Sequence, residues 1–190
     1  MKNIGVFCSS LMGISSEYSK IAEELGLSLK KYDCSLIYGG GKLGLMGVVS
    51  KNAKRSGAKV ISVVPYYLNK PSIVYSDVDE IIETKNLFER KKEMVSLSNI
   101  FVALPGGIGT CDEIFEVIAG YALGEHEKPL FLVNTNNFWE PLLKMLNFIE
   151  KEGMIRSESD KIIPPRSMKN LYIVNNCKEL FRHEKFNQIS

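Results

Sequence analysis

The chain has 190 residues, of which 45% are hydrophobic and 24% charged, and the formal net charge is +2. This length and apolar content fit one domain, predicted to span 1–190, and exclude a chain that is disordered throughout. A nearly balanced charge gives no reason to expect a nucleic acid polymer as partner. No apolar run approaches the roughly 18 residues of a membrane span. Because the amino-terminal run MKNIGVFCSS also lacks the cleavage pattern of a signal peptide, we expect a cytoplasmic protein with no membrane partner.

Short apolar runs alternate with longer amphipathic segments along the chain. The predicted strands are Asn3–Cys8, Ser35–Tyr38, Lys59–Val64, Glu80–Thr84, Ile100–Leu104, Pro129–Val133 and Leu171–Val174. The predicted helices are Ser16–Lys31, Leu43–Ser56, Leu87–Ser98, Thr110–Leu123, Phe138–Glu152 and Lys178–His183. Most strands are continuously apolar, which is typical of a sheet covered on both faces. The alternation predicts an α/β fold of the Rossmann-like, doubly wound type, with a mostly parallel sheet flanked by helices on both faces.

Cysteine and histidine usage argues against a metal centre. The four cysteines are scattered and contain no CxxC pair, so they fit neither a disulfide framework nor a zinc site. The two histidines, His126 and His183, are far apart in sequence and are expected at the surface. We therefore expect no metal and no redox cofactor.

Ligands of doubly wound sheets lie beyond the carboxyl ends of the strands, and two of these ends are glycine-rich. The first is GGGKLGLMG, Gly39 to Gly47. Glycine allows positive φ angles and lets backbone amides approach an anion or a ribose. The spacing matches neither a dinucleotide fingerprint nor a Walker loop. Two interpretations stay open: ligand contact, or a tight turn in which Gly44 and Gly47 allow close packing of helix on sheet.

The second glycine-rich end is LPGGIGTCDE, Leu104 to Glu113, which follows a buried strand and opens the helix Thr110–Leu123. Glycine amides and a threonine hydroxyl at the positive end of a helix favour phosphate binding. The segment has neither a Walker lysine nor an evident set of Mg²⁺ ligands. It therefore predicts a bound monophosphate rather than a triphosphate to be cleaved.

Glu113 has two interpretations. Thr110 and Glu113 have the spacing of a capping box, in which the carboxylate would bond to the Thr110 amide. However, the charges of Asp112 and Glu113 would both repel an anion bound at this helix end. We therefore expect that another part of the ligand is stabilised by a nearby negative charge. A carboxylate that stabilises developing positive charge on a ribose ring would meet that requirement.

Two adjacent cations lie on the helix Leu87–Ser98. At about 100° per residue, Lys91 falls at the centre of the apolar face and Arg90 at its edge. Cations on a buried face are costly unless an anion or a carboxylate meets them. Two interpretations stay open. In the first, Arg90 and Lys91 bind a phosphate or carboxylate at the Gly106–Thr110 loop; in the second, Lys91 extends its ammonium to solvent and Arg90 forms a salt bridge at the rim of the protein.

These segments together resemble the Lonely Guy family. PGGxGTxxE at Pro105 to Glu113, the glycine-rich segment Gly39 to Gly47 and the Arg90–Lys91 pair carry the resemblance, which runs from Val6 to about Glu152. Its members are cytokinin riboside 5′-monophosphate phosphoribohydrolases, often mislabelled lysine decarboxylases. The resemblance implies hydrolysis of the N-glycosidic bond of an adenosine 5′-monophosphate, N6-modified or plain, to the free base and ribose 5-phosphate. It also implies a homodimer.

The resemblance assigns roles to individual residues. Arg90 and Glu113 would be catalytic. The substrate, a nucleoside 5′-monophosphate, would be bound by Lys91, Gly106, Gly107, Gly109 and Thr110. From the position of the strand ends we add Ser9, Gly40, Gly41 and Met46. We hypothesise that the phosphate lies on the Gly106–Thr110 amides with help from Arg90 or Lys91, the ribose near Glu113, and the base toward Ser9, Ser10 and the Gly39–Gly47 turn. Whether Glu113 stabilises charge at C1′ or accepts a proton from water stays open at this point.

Other functions compete with hydrolysis. The main alternative is a binding module that uses the same loops without cleavage, such as a molybdenum-cofactor carrier. Arg90 and Glu113 together favour an enzyme, because a simple phosphate binder gains little from carboxylates beside the anion. An NAD-dependent oxidoreductase is disfavoured by the missing fingerprint after the first strand, and a decarboxylase by the lack of a recognisable pyridoxal-phosphate lysine motif.

Overall fold

Seven parallel strands form one sheet in the computed structural model, which describes residues 1–155 and 168–189. In chain order the strands are β1 Lys2–Phe7, β2 Cys34–Tyr38, β3 Val60–Pro65, β4 Glu80–Thr84, β5 Ile100–Ala103, β6 Leu130–Val133 and β7 Leu171–Val174. All predicted strands are confirmed, with ends that differ by no more than one residue. The prediction of one domain over 1–190 includes 156–167 and 190, which lie outside the described residues.

Helices connect the strands. They are α1 Ser16–Ser28, α2 Gly44–Ser56, α3 Leu87–Leu97, α4 Ile108–Leu123, α5 Glu140–Lys151, α6 Cys177–Arg182 and α7 Glu184–Gln188, with short 3-10 turns at Lys30–Tyr32, Tyr66–Leu68 and Thr135–Asn137. The six predicted helices are confirmed. The sequence prediction missed α7, because five residues are too few for a helical period to be recognised. It also placed the start of α4 at Thr110, two residues too late.

The strand order is β4-β3-β2-β1-β5-β6-β7, and every neighbouring pair is parallel. The chain first builds the sheet outward from β1 to β4 and then returns to add β5 on the other side of β1. This arrangement confirms the Rossmann-like doubly wound fold. The loops after β1 and β5 leave the sheet in opposite directions, which opens a crevice at the carboxyl ends of these two strands.

Each face of the sheet has its own apolar core. Successive strand residues point to opposite faces, so Ile4 and Val6 belong to one core and Phe7 to the other. The first core also contains buried side chains from α1, α2, α6 and α7, and the second contains those from α3, α4 and α5. Helices on both faces explain why the strand sequences are continuously apolar.

Both histidines are half-buried, which corrects the expectation that they lie at the surface. Their rings pack on aromatic side chains: the centroid of His183 is 5.1 Å from that of Phe131, and the centroid of His126 is 5.9 Å from that of Phe101. Over residues 1–155 and 168–189, no cluster of histidine, cysteine or acidic side chains is suited to a metal ion. In the same ranges, no helix is long and apolar enough to cross a bilayer.

Candidate active site

A cavity of about 230 Å³ lies at the crevice between β1 and β5. It is lined by Val6, Cys8, Ser9, Ser10, Leu11, Gly39, Met46, Arg90, Gly107, Ile108, Gly109, Thr110 and Glu113. These residues come from the ends of β1 and β2, the starts of α2 and α4, and the first half of α3. Four segments distant in sequence therefore meet at one place, as the position rule for doubly wound sheets predicts.

The start of α4 forms one wall of the cavity. Gly107 precedes the first helical residue, and among the described residues no side chain caps this helix end. The amides of Gly107 to Thr110 lack partners within the helix, and the helix dipole gives this end partial positive charge. A Cβ atom on Gly106 would overlap the Thr110 side chain, so a glycine is needed for the loop to close on Thr110. The wall has the properties of an anion-binding site.

The capping-box interpretation of Glu113 is wrong. Because α4 begins at Ile108, Thr110 is already inside the helix, and Glu113 lies one turn further along. Its carboxylate accepts a hydrogen bond from Nη2 of Arg90, which reaches across from α3. Only 7% of Glu113 is exposed. The carboxylate is therefore available to the cavity and is not used to cap its own helix.

Burial raises the pKa of Glu113 to about 7, although the Arg90 guanidinium lowers it. The charge of nearby Asp112 also raises this pKa, and Lys91 lowers it. A carboxyl group with a pKa near 7 can exchange a proton with a reacting group at neutral pH. Strongly shifted carboxyl groups in cavities are frequent at catalytic sites.

Arg90 is held in place by local structure. The side chain of Asn86 caps α3 by accepting a hydrogen bond from the Glu89 amide at 2.9 Å, so Arg90 is in the first turn of a well-defined helix. Its side chain is only 17% exposed. Of the two interpretations of this cation, the rim salt bridge is wrong, since its partner Glu113 is buried inside the cavity.

Lys91 does not line the cavity. Its Nζ lies 2.9 Å from Asp112 Oδ1 and 2.9 Å from Glu116 Oε2, both on α4. The apolar face of α3 therefore contains a cation whose charge is met by carboxylates, as the cost of burial requires. The ammonium of Lys91 is directed to these two acids, and no described contact places it in the cavity. The assignment of Lys91 to substrate binding therefore stays a prediction.

The glycine-rich segment after β2 has mainly a structural role. Gly44 has a φ of +59°, and a Cβ atom there would overlap the backbone of Ser10 and Leu11. Gly44 thus allows α2 to pack closely on the loop between β1 and α1. The packing expected from the sequence is that of the helix on the sheet instead. Gly40 has a φ of +79°, and Gly41 pairs with Val74 in an isolated antiparallel bridge. Neither Gly40 nor Gly41 lines the cavity.

The structure brings together seven of the predicted site residues. Arg90, Glu113, Gly107, Gly109, Thr110, Ser9 and Met46 all line the cavity, whereas Lys91, Gly106, Gly40 and Gly41 do not. The sequence prediction assigned no role to Val6, Cys8 or Leu11, which also line it, and it included Gly39 and Ile108 only as members of the two glycine-rich loops. Leu11 could have been found, since it lies in the loop that follows β1. Cys8 is buried, and burial raises the pKa of its thiol, which makes it a poor nucleophile.

Comparison with solved structures supports the fold. The molybdenum cofactor binding protein of Rippkaea orientalis is similar with a TM-score of 0.67 and 23% identity, covering 95% of both chains. The Moco carrier protein of Chlamydomonas reinhardtii is similar with a TM-score of 0.66 and 22% identity, covering 93% of this chain and 91% of the other. At this identity the similarity shows a common fold.

Curated relatives are more similar in sequence. Three of them carry the name cytokinin riboside 5′-monophosphate phosphoribohydrolase. The protein from Oryza sativa subsp. japonica is 38% identical over 85% of this chain and 67% of its own length. Another from Arabidopsis thaliana is 38% identical over 85% of this chain and 75% of its own. A bacterial one, from Rhodococcoides fascians, is 36% identical over 81% of this chain and 78% of its own.

A family model with the description "Possible lysine decarboxylase" matches residues 46–180. This match covers most of the chain, including α3 and α4, from which Arg90 and Glu113 meet. The chain therefore belongs to the Lonely Guy family, whose model carries this description and whose curated members above are named phosphoribohydrolases.

Proposed function

We propose that the chain hydrolyses the N-glycosidic bond of a nucleoside 5′-monophosphate of the adenine type, plain or N6-modified. The products are the free base and ribose 5-phosphate. The observation that carries this proposal is the buried Glu113 carboxylate, bonded to Arg90, one helical turn from uncapped backbone amides in the same cavity. The names of the curated relatives support the same reaction.

In the proposed complex, the 5′-phosphate binds at the start of α4. The amides of Gly107 to Thr110 and the Thr110 hydroxyl offer donors there, and the helix dipole favours a negative ligand. Nε of Arg90 is buried with no acceptor among the described residues. A substrate oxygen would supply that acceptor, so Arg90 contributes to binding as well as to the charge of Glu113.

The ribose then lies over Glu113. As the bond between C1′ and the base nitrogen breaks, its electron pair leaves with the base, which takes up a proton from solvent water, and positive charge develops on the ring. The carboxylate of Glu113 stabilises that charge and accepts a proton from the water whose oxygen bonds to C1′. Glu113 then releases this proton to solvent, so that the enzyme is unchanged and one water has been added. Removing a carboxylate of this kind costs about 10²- to 10⁴-fold in rate.

We also propose that the chain acts as a homodimer. The cavity volume is below the roughly 300–1,000 Å³ of typical ligand sites, so a base would project from the mouth. At that mouth, Ile108 and Leu11 are 87% and 72% exposed, and on α3 Phe88 is 67% exposed. A second copy of the chain over these apolar side chains would bury them and cover the base.

A direct assay tests the reaction. The protein is incubated with AMP and with an N6-prenylated analogue, and free base is measured by chromatography, with Glu113→Gln as the matched control. Release of base by the wild-type chain and its loss in the variant would support the proposal. Tight binding of nucleotide without any product would overturn it and favour a carrier module.

A further inference from the structure

The guanidinium of Arg90 packs directly against the end of β2. A Cβ atom built on Gly39 would lie 3.1 Å from Arg90 Cζ and 3.4 Å from Nε. It would be closer still to Nη2, the atom that donates to Glu113. Carbon atoms in good contact are about 3.5–4.0 Å apart. No side chain larger than hydrogen therefore fits at Gly39 while Arg90 keeps its position.

Backbone conformation does not explain this glycine. The neighbouring Gly40 and Gly44 have φ angles of +79° and +59°, which favour glycine over other residues. Gly39 is not among the residues with positive φ. An alanine there is therefore compatible with the backbone, and the space taken by the guanidinium is what requires glycine.

We propose that Gly39 is a positioning residue: by leaving room for the guanidinium of Arg90 at the end of β2, it allows the bond between Arg90 and Glu113 inside the cavity. For its effect on turnover this inference rests on the proposed function. The geometry itself belongs to the free protein and is tested there.

Alanine at Gly39 should displace Arg90 without unfolding the protein. The atoms that the new methyl group meets are the far end of a flexible side chain, which moves more readily than backbone. Once displaced, the guanidinium no longer donates to Glu113. The buried carboxylate then loses the contact that lowers its pKa, so it should hold its proton to higher pH.

The test is an NMR titration of the free protein labelled with ¹³C at the glutamate carboxyl groups, with Glu113→Gln to assign the signal. In Gly39→Ala the pKa of Glu113 should rise by about one unit. Gly109→Ala is the matched control, because Gly109 also lines the cavity but a Cβ atom added there would lie in open space and would not meet Arg90. An unchanged titration in Gly39→Ala, or an equal shift in Gly109→Ala, would overturn the proposal.

A double variant separates this role from a general disturbance. Arg90→Ala alone should raise the pKa of Glu113, and adding Gly39→Ala should then change nothing, because no guanidinium is left to displace. A further rise in the double variant would mean that Gly39 acts by another route. If the titration behaves as expected but no base release is found, the positioning role stands and the proposed reaction fails.

Discussion

The ammonium of Lys91 lies 2.9 Å from the carboxylate of Asp112, so an acid near the start of α4 is already paired with a cation from α3. This pairing explains how an acid can follow the turn that we propose to bind phosphate without repelling the ligand. Because Asp112 is 58% exposed, the pair adds at most about 1 kcal/mol to stability. Its effect should be on binding.

We expect Lys91→Met to raise the KM for a nucleoside monophosphate about three- to fivefold, because an unpaired Asp112 then repels the phosphate, a cost of up to about 1 kcal/mol. The turnover number should change little when it is measured well above pH 7, where Glu113 is ionised with or without the lysine. Steady-state kinetics at constant ionic strength measure both quantities.

The double variant Lys91→Met with Asp112→Asn identifies the mechanism. If Lys91 acts by neutralising Asp112, removing the acid should restore most of the affinity. If the lysine binds substrate itself, as the family resemblance predicts, the affinity should stay low in the double variant.

Replacement of Glu113 by glutamine should lower the rate of base release by about 10²- to 10⁴-fold. The amide preserves the shape of the side chain but can neither accept the proton nor stabilise positive charge as a carboxylate does. The far-ultraviolet circular dichroism spectrum should be unchanged. A variant with turnover near that of the wild type would show that this carboxyl group is not catalytic.

Activity should rise with pH through about pH 7, because the reaction needs the ionised form of Glu113 and burial raises its pKa to about 7. Below that pH the carboxyl group is protonated and the rate should fall about tenfold per unit. A profile of kcat/KM between pH 5 and pH 9 measures this limb. A flat profile over that range would contradict the assigned role.

The contribution of Glu113 to the free energy of unfolding should fall as pH rises, which is opposite to the trend expected for activity. The folded state retains the Glu113 proton to higher pH than the unfolded chain, so this group's contribution is fully present below the ordinary glutamate pKa. It is lost as pH rises toward 7. The midpoint of urea unfolding, compared between the wild type and Glu113→Gln across this range, isolates the contribution. An identical pH dependence in both proteins would rule it out.

An aspartate in place of Phe88 should yield a monomer, because this side chain is 67% exposed on α3 and a charge there would oppose an apolar contact. Light scattering coupled to size-exclusion chromatography gives the mass directly. Glu93→Lys, a charge change on the same helix, serves as the comparison. A wild-type chain that is already monomeric would refute the dimer.

Much of the fold could be predicted from the sequence because strands and helices have different apolar patterns. The inner strands β2, β3, β5 and β6 are buried on both faces and so read as continuous apolar runs. Ser9 and Thr110 each follow a strand, and the carboxyl ends of parallel strands lie at the same edge of the sheet. Their proximity could therefore be predicted. The start of α4 could not be predicted as well, since Thr110 has the side chain of a helix cap, whereas the true boundary residue, Gly107, has none.

The distribution of charge pairs was the less predictable part of the site. Helical periodicity placed both Arg90 and Lys91 toward buried surface. It could not show that one of them meets Glu113 in the cavity while its neighbour meets Asp112 outside it. That difference depends on the crossing of α3 and α4, which only the folded chain defines. The role proposed for Gly39 could not be predicted for the same reason, because it depends on an arginine far away in sequence.

Ser9 joins three loops through its own polar atoms. Its amide donates to the Pro105 carbonyl at 3.2 Å, its carbonyl accepts from the Met46 amide at 3.2 Å, and its hydroxyl oxygen accepts from the Leu11 amide at 2.9 Å. The loops that would surround a nucleotide are thus already fixed to one another by folding. The binding surface should therefore be preorganised, and the protein would lose little conformational entropy when a ligand binds.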